Sequence, residues 1–535
     1  MGDNRNQVLI EQSMLDFARA AEKEQLIDRR RPSWVQHSCS LFLMVILVGL
    51  LHKRTSIRGI ARLYHGKSTS EKMRELFEPY FEKELSEHGF PSYSCIDRFL
   101  QSADTEALSV YLSQWSYQLI DDDGVRRLNW GVDGQAARGS KLTREGGRPK
   151  YNVDYHDNDS NILVYMTSVG FKSQESVAAR ESVQDVLSGH PNVVLGADAM
   201  MTKKDILEGA RQVGAMTFMP VKRNNPVLMN GFSKVVEDLA TEGSPVVGHY
   251  VDLNGSPDGV GSEVVRETIC TYEEEDNKKY DPDLRSRPVR ELVFFDDAYP
   301  YGRETKSNTI SCSGQEVSTS LQLDRDAQGK WFKVGDRYIV MSPSHGRYER
   351  RENELIKAPD KCDIWKNVPD ALKREWQPYI ATLCVVTRYR ACPICVDAGK
   401  GHNKPRSLSY QVTVTRTAFA LSFVPDSTKA AASLIRRYWS IEGKLHKVVD
   451  DILGQDACTC RVGNSIGNMS LLRKTAYNVL SGAKNAVKKL ANKDIGFVDV
   501  LDTLSLRSDL ACRLLFEEPT ESFGYYARNC YPIGA

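Results

Sequence analysis

Hydrophobic positions recur at helical spacing around residues 8–28, 36–53, 69–88 and 105–120, with short polar breaks between them. The first 125 residues therefore read as a helical part. Its most apolar run, "LFLMVILVGLL" at 41–51, is 11 residues long. A membrane span needs roughly 20, so the run predicts a buried core helix. Two segments, "TSIRGIARLYHG" (55–66) and "PSYSCIDRFLQS" (91–102), each open with a Ser or Thr able to cap a helix. Each then sets basic residues between apolar ones. They read as a helix-turn-helix, or as ordinary packed helices with solvated faces.

From residue 126 the spacing shortens. "RRLNWGVDGQAA", "PKYNVDYH" and "NILVYMTSVG" are strand-like and separated by turn residues. "SQESVAARESVQDVLSG" then reads as a helix, "NVVLGADAM" as a buried strand, "TKKDILEGARQVG" as a helix and "AMTFMPVKR" as a strand. The order β-β-β-α-β-α-β predicts a mixed sheet covered by helices. Residues 225–425 are long, mixed and rich in hairpin signals, such as the "GD" inside "KWFKVGDRYIVMS" (330–342). Helical spacing returns after 426.

The length of 535 residues allows about two to four domains. Net charge is +1, so any nucleic-acid binding must come from local basic patches. Twelve cysteines are scattered along the chain and its start shows no secretory signal pattern. Reduced thiols in an intracellular compartment are therefore expected, in a protein with no membrane contact.

Two aspartates stand at strand positions where sheet proteins place ligands: Asp133 in "NWGVDGQ" and Asp198 at the end of "VVLGAD". Either could equally cap the helix that follows. A third acid, Glu442, lies in "RRYWSIEGKLHKVVDDI" (436–452), which reads as one helix. Ile441, Leu445, Val448 and Ile452 form its apolar face, and Glu442 sits at the edge of that face with no Lys or Arg three or four residues away. A charge buried there needs a remote partner or a metal ion. Three converging carboxylates would suit Mg²⁺ or Mn²⁺, and two such ions stabilise the attacking and leaving oxygens of a displacement at phosphorus.

These residues fall within a wider resemblance. "VDGQAARGS" (132–140), "GADAMMTKKDILEGARQVGAMTFMPVKRNN" (196–225) and "RRYWSIEGKLHKVVDD" resemble, in order, the motifs of the DDE transposases of bacterial insertion sequences. The group concerned includes the H-repeat-associated proteins. Asp456, Arg461, Gly463, Asn464, Asn468, Leu472, Arg473, Ala476 and Asn478 continue the pattern. The resemblance implies an α/β, RNase H-like core in which Asp133, Asp198 and Glu442 are the catalytic, metal-holding triad. It also implies an enzyme that cuts the terminal inverted repeats of a mobile element and joins them to target DNA, as a homo-oligomer on DNA in the bacterial cytoplasm or nucleoid. Three positions depart from the family pattern: Gln135 replaces Lys, Tyr438 replaces His and Gly443 replaces Asn.

The organisation then expected is an N-terminal helical DNA-binding domain (1–125), the core in two parts (126–239 and 416–480), a β-containing insertion domain (240–415) and a basic helical tail (481–535). Basic residues expected to meet DNA are Arg138, Lys141, Lys222, Arg223, Arg473, Lys474, Lys484, Lys488 and Lys489, each of which could instead be a plain surface charge. "CPIC" at 392–395 offers Cys392 and Cys395 as half of a structural Zn²⁺ site, or as free thiols. Two further readings stay open: a transposase-derived DNA-binding protein without catalysis, and a hydrolytic nuclease with the same core.

Overall fold

The apolar run near the start becomes helix α2 (Cys39–Leu51), and all thirteen of its residues are buried. Ser38 caps it by accepting from Leu41 N–H. No helix among the described residues is long and apolar enough to cross a membrane. The computed structural model describes residues 12–23, 27–28, 30, 35–122, 124–140, 149–170, 172–222, 225–228, 231–232, 250–252, 292–294, 308–310, 316–319, 337–344, 347–357, 365, 368–395 and 407–531.

They divide into two units, Met1–Met216 with Arg436–Ala535, and Thr217–Ile435. In the first, helices α1 (Met14–Lys23), α2, α3 (Ile57–His65), α4 (Ser70–His88), α5 (Tyr93–Ser102) and α6 (Thr105–Tyr117) precede the sheet. α3 and α5 do not follow one another as a helix-turn-helix, because the 19-residue α4 stands between them. Strands β1 (Leu128–Ala137), β2 (Lys150–Asp157) and β3 (Ile162–Val169) then form an antiparallel meander. Helix α7 (Glu175–Leu187) leads to β4 (Val193–Ala197), which lies parallel to β1 on its other side. The strand order 3-2-1-4 is thus the mixed α/β pattern that the alternating periodicity predicts. Helix α8 (Lys204–Gln212) follows.

The second unit holds β5 (Met216–Val221), β6 (Tyr250–Asp252), β7 (Leu292–Phe294), β8 (Asn308–Ile310), β9 (Glu316–Thr319), β10 (Arg337–Ser344), β11 (Arg347–Lys357), helix α9 (Asp370–Trp376), β12 (Thr382–Cys395) and β13 (Ser407–Leu421). Antiparallel ladders join β5 to β13 and run on through β12, β11 and β10 to β9. The ladder partner of β5 on this side, β13, is the strand that closes the long inserted region. The division falls at 216, ahead of the expected boundary at 240.

After α10 (Thr428–Tyr438) the chain returns to the first unit and builds α11 (Ser465–Ala491), α12 (Phe497–Leu506), α13 (Ser508–Phe516) and α14 (Pro519–Cys530). α11 has 27 residues, about 40 Å at 1.5 Å per residue. It is a spine buried along most of its length, and its polar side chains tie the helical part to the sheet. Asn468 donates to Leu100 O and Ala103 O, both at 2.9 Å. Asn478 accepts from Leu163 N–H at 2.7 Å and donates to Ser116 Oγ at 2.8 Å. The helices before residue 125 and those after 480 thus share one unit with the sheet, and residue 480 falls inside α11.

Candidate active site

Two close approaches on β1 explain the glycines that flank Asp133. A Cβ at Gly131 would lie 3.2 Å from the Tyr438 ring, and one at Gly134 would lie 2.3 Å from Glu175 Oε1. β1 is thus pressed by an aromatic ring just before the aspartate and by a carboxylate just after it. Val132 stands opposite Ala197 in the parallel ladder, so Asp133 and Asp198 occupy the next positions of neighbouring strands.

Asp133 accepts from Gly134 N–H at 2.9 Å, and His446 Nδ1 lies 3.8 Å from its Oδ2. Burial pushes its carboxyl up to about 6; His446 and the Gly134 N–H oppose that rise, and the charges of Asp198 and Glu442 add to it. Asp198 accepts from Met200 N–H, and from Met201 N–H at 3.2 Å, so it also caps the short turn Ala199–Met201. Capping and a place in the site are therefore compatible roles for this residue.

Glu442 is exposed, which removes the burial cost that its position beside an apolar face suggested. The helix is α-helical only to Tyr438; wider π-type turns span Ile441–His446 and Val448–Ile452. Such turns cluster at functional sites because they re-aim side chains. Ile441, Leu445, Val448 and Val449 face inward and leave Glu442 on the solvent side. Tyr438 is buried and feels all three acids. Burial first, then the charges of Asp133, Asp198 and Glu442, hold its phenol well above the usual range. Gly443, where the family pattern has Asn, faces open space.

Among the described residues no group of three or more His, Cys, Asp or Glu side chains is gathered closely enough to hold a metal ion. The three acids share one electrostatic neighbourhood without forming a closed ligand shell. A fourth acid that sequence reasoning passed over joins them. Glu175, at the first turn of α7, is 5% exposed. Burial pushes its carboxyl up to about 7; Lys172 opposes the rise, and Asp133, Asp198 and Asp154 add to it. In "SQESVAARES" it reads as an ordinary helix-start acid, and only its approach to Gly134 marks it out.

Gln135, where the family pattern has Lys, donates through Nε2 to Asp450 Oδ1 at 2.9 Å and ties β1 to the second π-type turn. Behind Asp133, His446 Nε2 lies 3.3 Å from Asp154 Oδ2, and Lys474 Nζ reaches the two oxygens of Asp154 at 2.7 and 2.6 Å.

The expected DNA-binding residues separate into distinct groups. Arg473 and Lys474 are in the interior, with 1% and 0% exposure. Arg473 donates to Leu453 O and Thr55 O, and Lys474 pairs with Asp154. Neither is presented to a DNA backbone, because each cation is consumed by partners inside the fold. Lys484 pairs with Asp494 at 2.5 Å, whereas Lys488 and Lys489 are exposed on the last turns of α11. Arg138 is exposed and pairs with Asp456 at 3.4 Å. Lys222, in the second unit, is exposed just past the end of β5. Lys141 and Arg223 lie outside the described residues, as do the side chains of Cys392 and Cys395.

No family model matches the chain. Over 149 residues it is 28% identical to the H repeat-associated putative transposase YhhI of Escherichia coli (strain K12), covering 28% of this chain and 34% of that protein. The chain is similar to bacterial proteins named transposases. It is also 28% identical over 179 residues to the putative transposase YncI of Escherichia coli O157:H7, covering 32% of this chain and 40% of that one. It matches the putative protein YbfL of Escherichia coli (strain K12) to the same degree as YhhI. The chain therefore spans 34% to 40% of the length of these curated transposase relatives. A solved piggyBac transposase synaptic complex with hairpin DNA aligns with 98% of this chain and 83% of its own, at 9% identity and a TM-score of 0.32, a likeness too low to carry an argument.

Proposed function

We propose that the protein is a DDE transposase, with an RNase H-like core, that cleaves the ends of a mobile element and joins them to target DNA by metal-dependent phosphoryl transfer. One observation carries the reading. Asp133, Asp198 and Glu442 are 65 and 244 residues apart by their numbers, yet Asp133 and Tyr438 both feel the other acids of the set. The 3-2-1-4 strand order, with β4 parallel to β1, supports the same core.

As placed, the three side chains are not gathered closely enough to hold a metal ion, but their donor chemistry, three carboxylates, suits a hard divalent cation. The acids are oxygen ligands, and the rise of the Asp133 carboxyl to about 6 reflects burial and an excess of negative charge. Asp133, Asp198 and Glu442 would hold Mg²⁺ or Mn²⁺, which supplies Lewis-acid stabilisation of charge developing on phosphoryl oxygens. The chain's own groups do the positioning. The Gly134 N–H and His446 orient Asp133, the Met200 and Met201 N–H groups orient Asp198, and the π-type turn presents Glu442 to solvent, where a DNA strand can reach it. Terminal repeats and target DNA would be its partners, bound by a homo-oligomer, and Cys392 and Cys395 would be half of a structural Zn²⁺ site or free thiols.

The test is an assay of duplex DNA carrying the element's terminal repeats with Mg²⁺ and with Mn²⁺, resolving cleaved from joined products. Joined products that need the divalent ion are expected. Cleaved products alone would make the protein a hydrolytic nuclease. Binding with no chemistry would make it a transposase-derived DNA-binding protein.

A further inference from the structure

Apart from the acids, α3 and the start of α5 enclose an open cleft of about 470 Å³, lined by Arg58, Ala61, Arg62, His65, Ser92 and Tyr93. Its charge follows from the periodicity of α3. Ile57, Ile60, Ala61, Leu63 and Tyr64 face the core, which turns Arg58, Arg62 and His65, at i, i+4 and i+7, to the solvent side. All three are exposed, as is Arg98 on α5. The Arg58 guanidinium lies 5.3 Å from the centre of the Tyr93 ring, which is itself 39% exposed.

Several cations on other helices have acidic neighbours. Arg74 pairs with Glu78, Arg211 with Glu208 and Arg513 with Glu517. Among the described residues no carboxylate lies within ion-pair distance of Arg58 or Arg62. Two guanidinium groups and an imidazole thus line one concavity with an exposed aromatic ring, and no described acid offsets them there. A guanidinium fork matches the oxygens of a phosphodiester, and an aromatic face beside a cation suits a sugar or an unstacked base.

We infer that this cleft binds the phosphodiester backbone of DNA, with Arg58 and Arg62 on phosphates and Tyr93 holding Arg58 in place. The inference rests on the transposase reading for its substrate, duplex DNA. It places a sequence-independent contact on the helical part of the first unit, so that base recognition must come from elsewhere.

The test uses the full chain and a fluorescent random-sequence duplex, with affinity measured across a salt series. Arg58→Ala with Arg62→Ala should lower affinity about tenfold and reduce the slope of log affinity against log salt by about 1.8, roughly 0.9 for each phosphate left without its arginine. Arg58→Lys with Arg62→Lys keeps the charge and should keep the wild-type slope. Melting temperature, recorded on all three proteins, should not move. An alanine variant that is folded and has the wild-type slope and affinity overturns the cleft and leaves the transposase reading standing. A wild-type chain that binds no duplex at all overturns both.

Discussion

Asp133 and Asp154 stand directly opposite each other in the β1–β2 ladder, and they are held in opposite ways. Asp154 is fully buried. Burial alone would raise its carboxyl, but Lys474, with His446 behind it, reverses the direction and keeps it below the usual range. Asp133 is less enclosed, has no Lys or Arg partner among the described residues, and is pushed up to about 6. Depth, then, does not decide the state of a carboxylate in this sheet. A matched cation turns Asp154 into part of the framework. Asp133 is raised first by burial and then by the charges of Asp198 and Glu442, with no Lys or Arg to reverse the direction, the state that the proposed cation-binding role would need. His446 lies beside both aspartates and is the link between the framework and the site.

The comparison can be broken most severely at the buried pair. Lys474→Met should cost about 3–5 kcal/mol in denaturant unfolding, because it leaves the Asp154 charge without compensation. Adding Asp154→Asn should recover most of that stability. A single variant of normal stability and weakened DNA binding would return Lys474 to the surface role that the sequence suggested.

At the site the pattern should invert. Glu442→Gln keeps shape and removes charge from an exposed position, so stability should change by no more than about 0.5 kcal/mol. Divalent-dependent DNA cleavage should fall at least about a hundredfold, or about 2.7 kcal/mol in barrier. Unfolding and cleavage need to be read on the same preparation. Normal cleavage by the folded variant would remove Glu442 from the site.

The smallest effect sharpens what a matched cation does for a buried acid. Asp157, three positions along β2 from Asp154, is also fully buried. Ser160 donates to its Oδ2 from both N–H and Oγ, and its Oδ1 has no hydrogen-bond partner among the described residues. Burial raises its carboxyl from the usual 3.8 to about 6. A raised carboxyl contributes stability that is fully present below the unfolded pKa and is lost as pH rises through the folded one. Stability should therefore decline between about pH 4 and 6 by roughly 2–3 kcal/mol on account of this group. Asp157→Asn should flatten that part of the curve of unfolding free energy against pH. The same decline in the variant would assign it to another residue.

Local pattern carried much of the architecture. The order from β1 to β5 is legible because alternation and helical spacing are properties of a few consecutive residues, and Asp133 and Asp198 mark strand positions for the same reason. Other features have no local signature. Glu175 joins the acids only because β1 and α7 meet at Gly134. The turn to π-type spacing after Tyr438, which puts Glu442 in solvent, is invisible in an apolar repeat that fits an α-helix equally well. That β5 pairs with β13, far along the chain, is likewise set by folding and not by local pattern. The basic residues of α11 are the extreme case. Sequence alone establishes that Arg473 and Lys474 are cations on a helix. Only the tertiary structure decides that they face inward, because the groups that compensate them, Asp154 for Lys474 and the Thr55 and Leu453 carbonyls for Arg473, are brought there by folding, and a buried charge is tolerable only where its partner already waits.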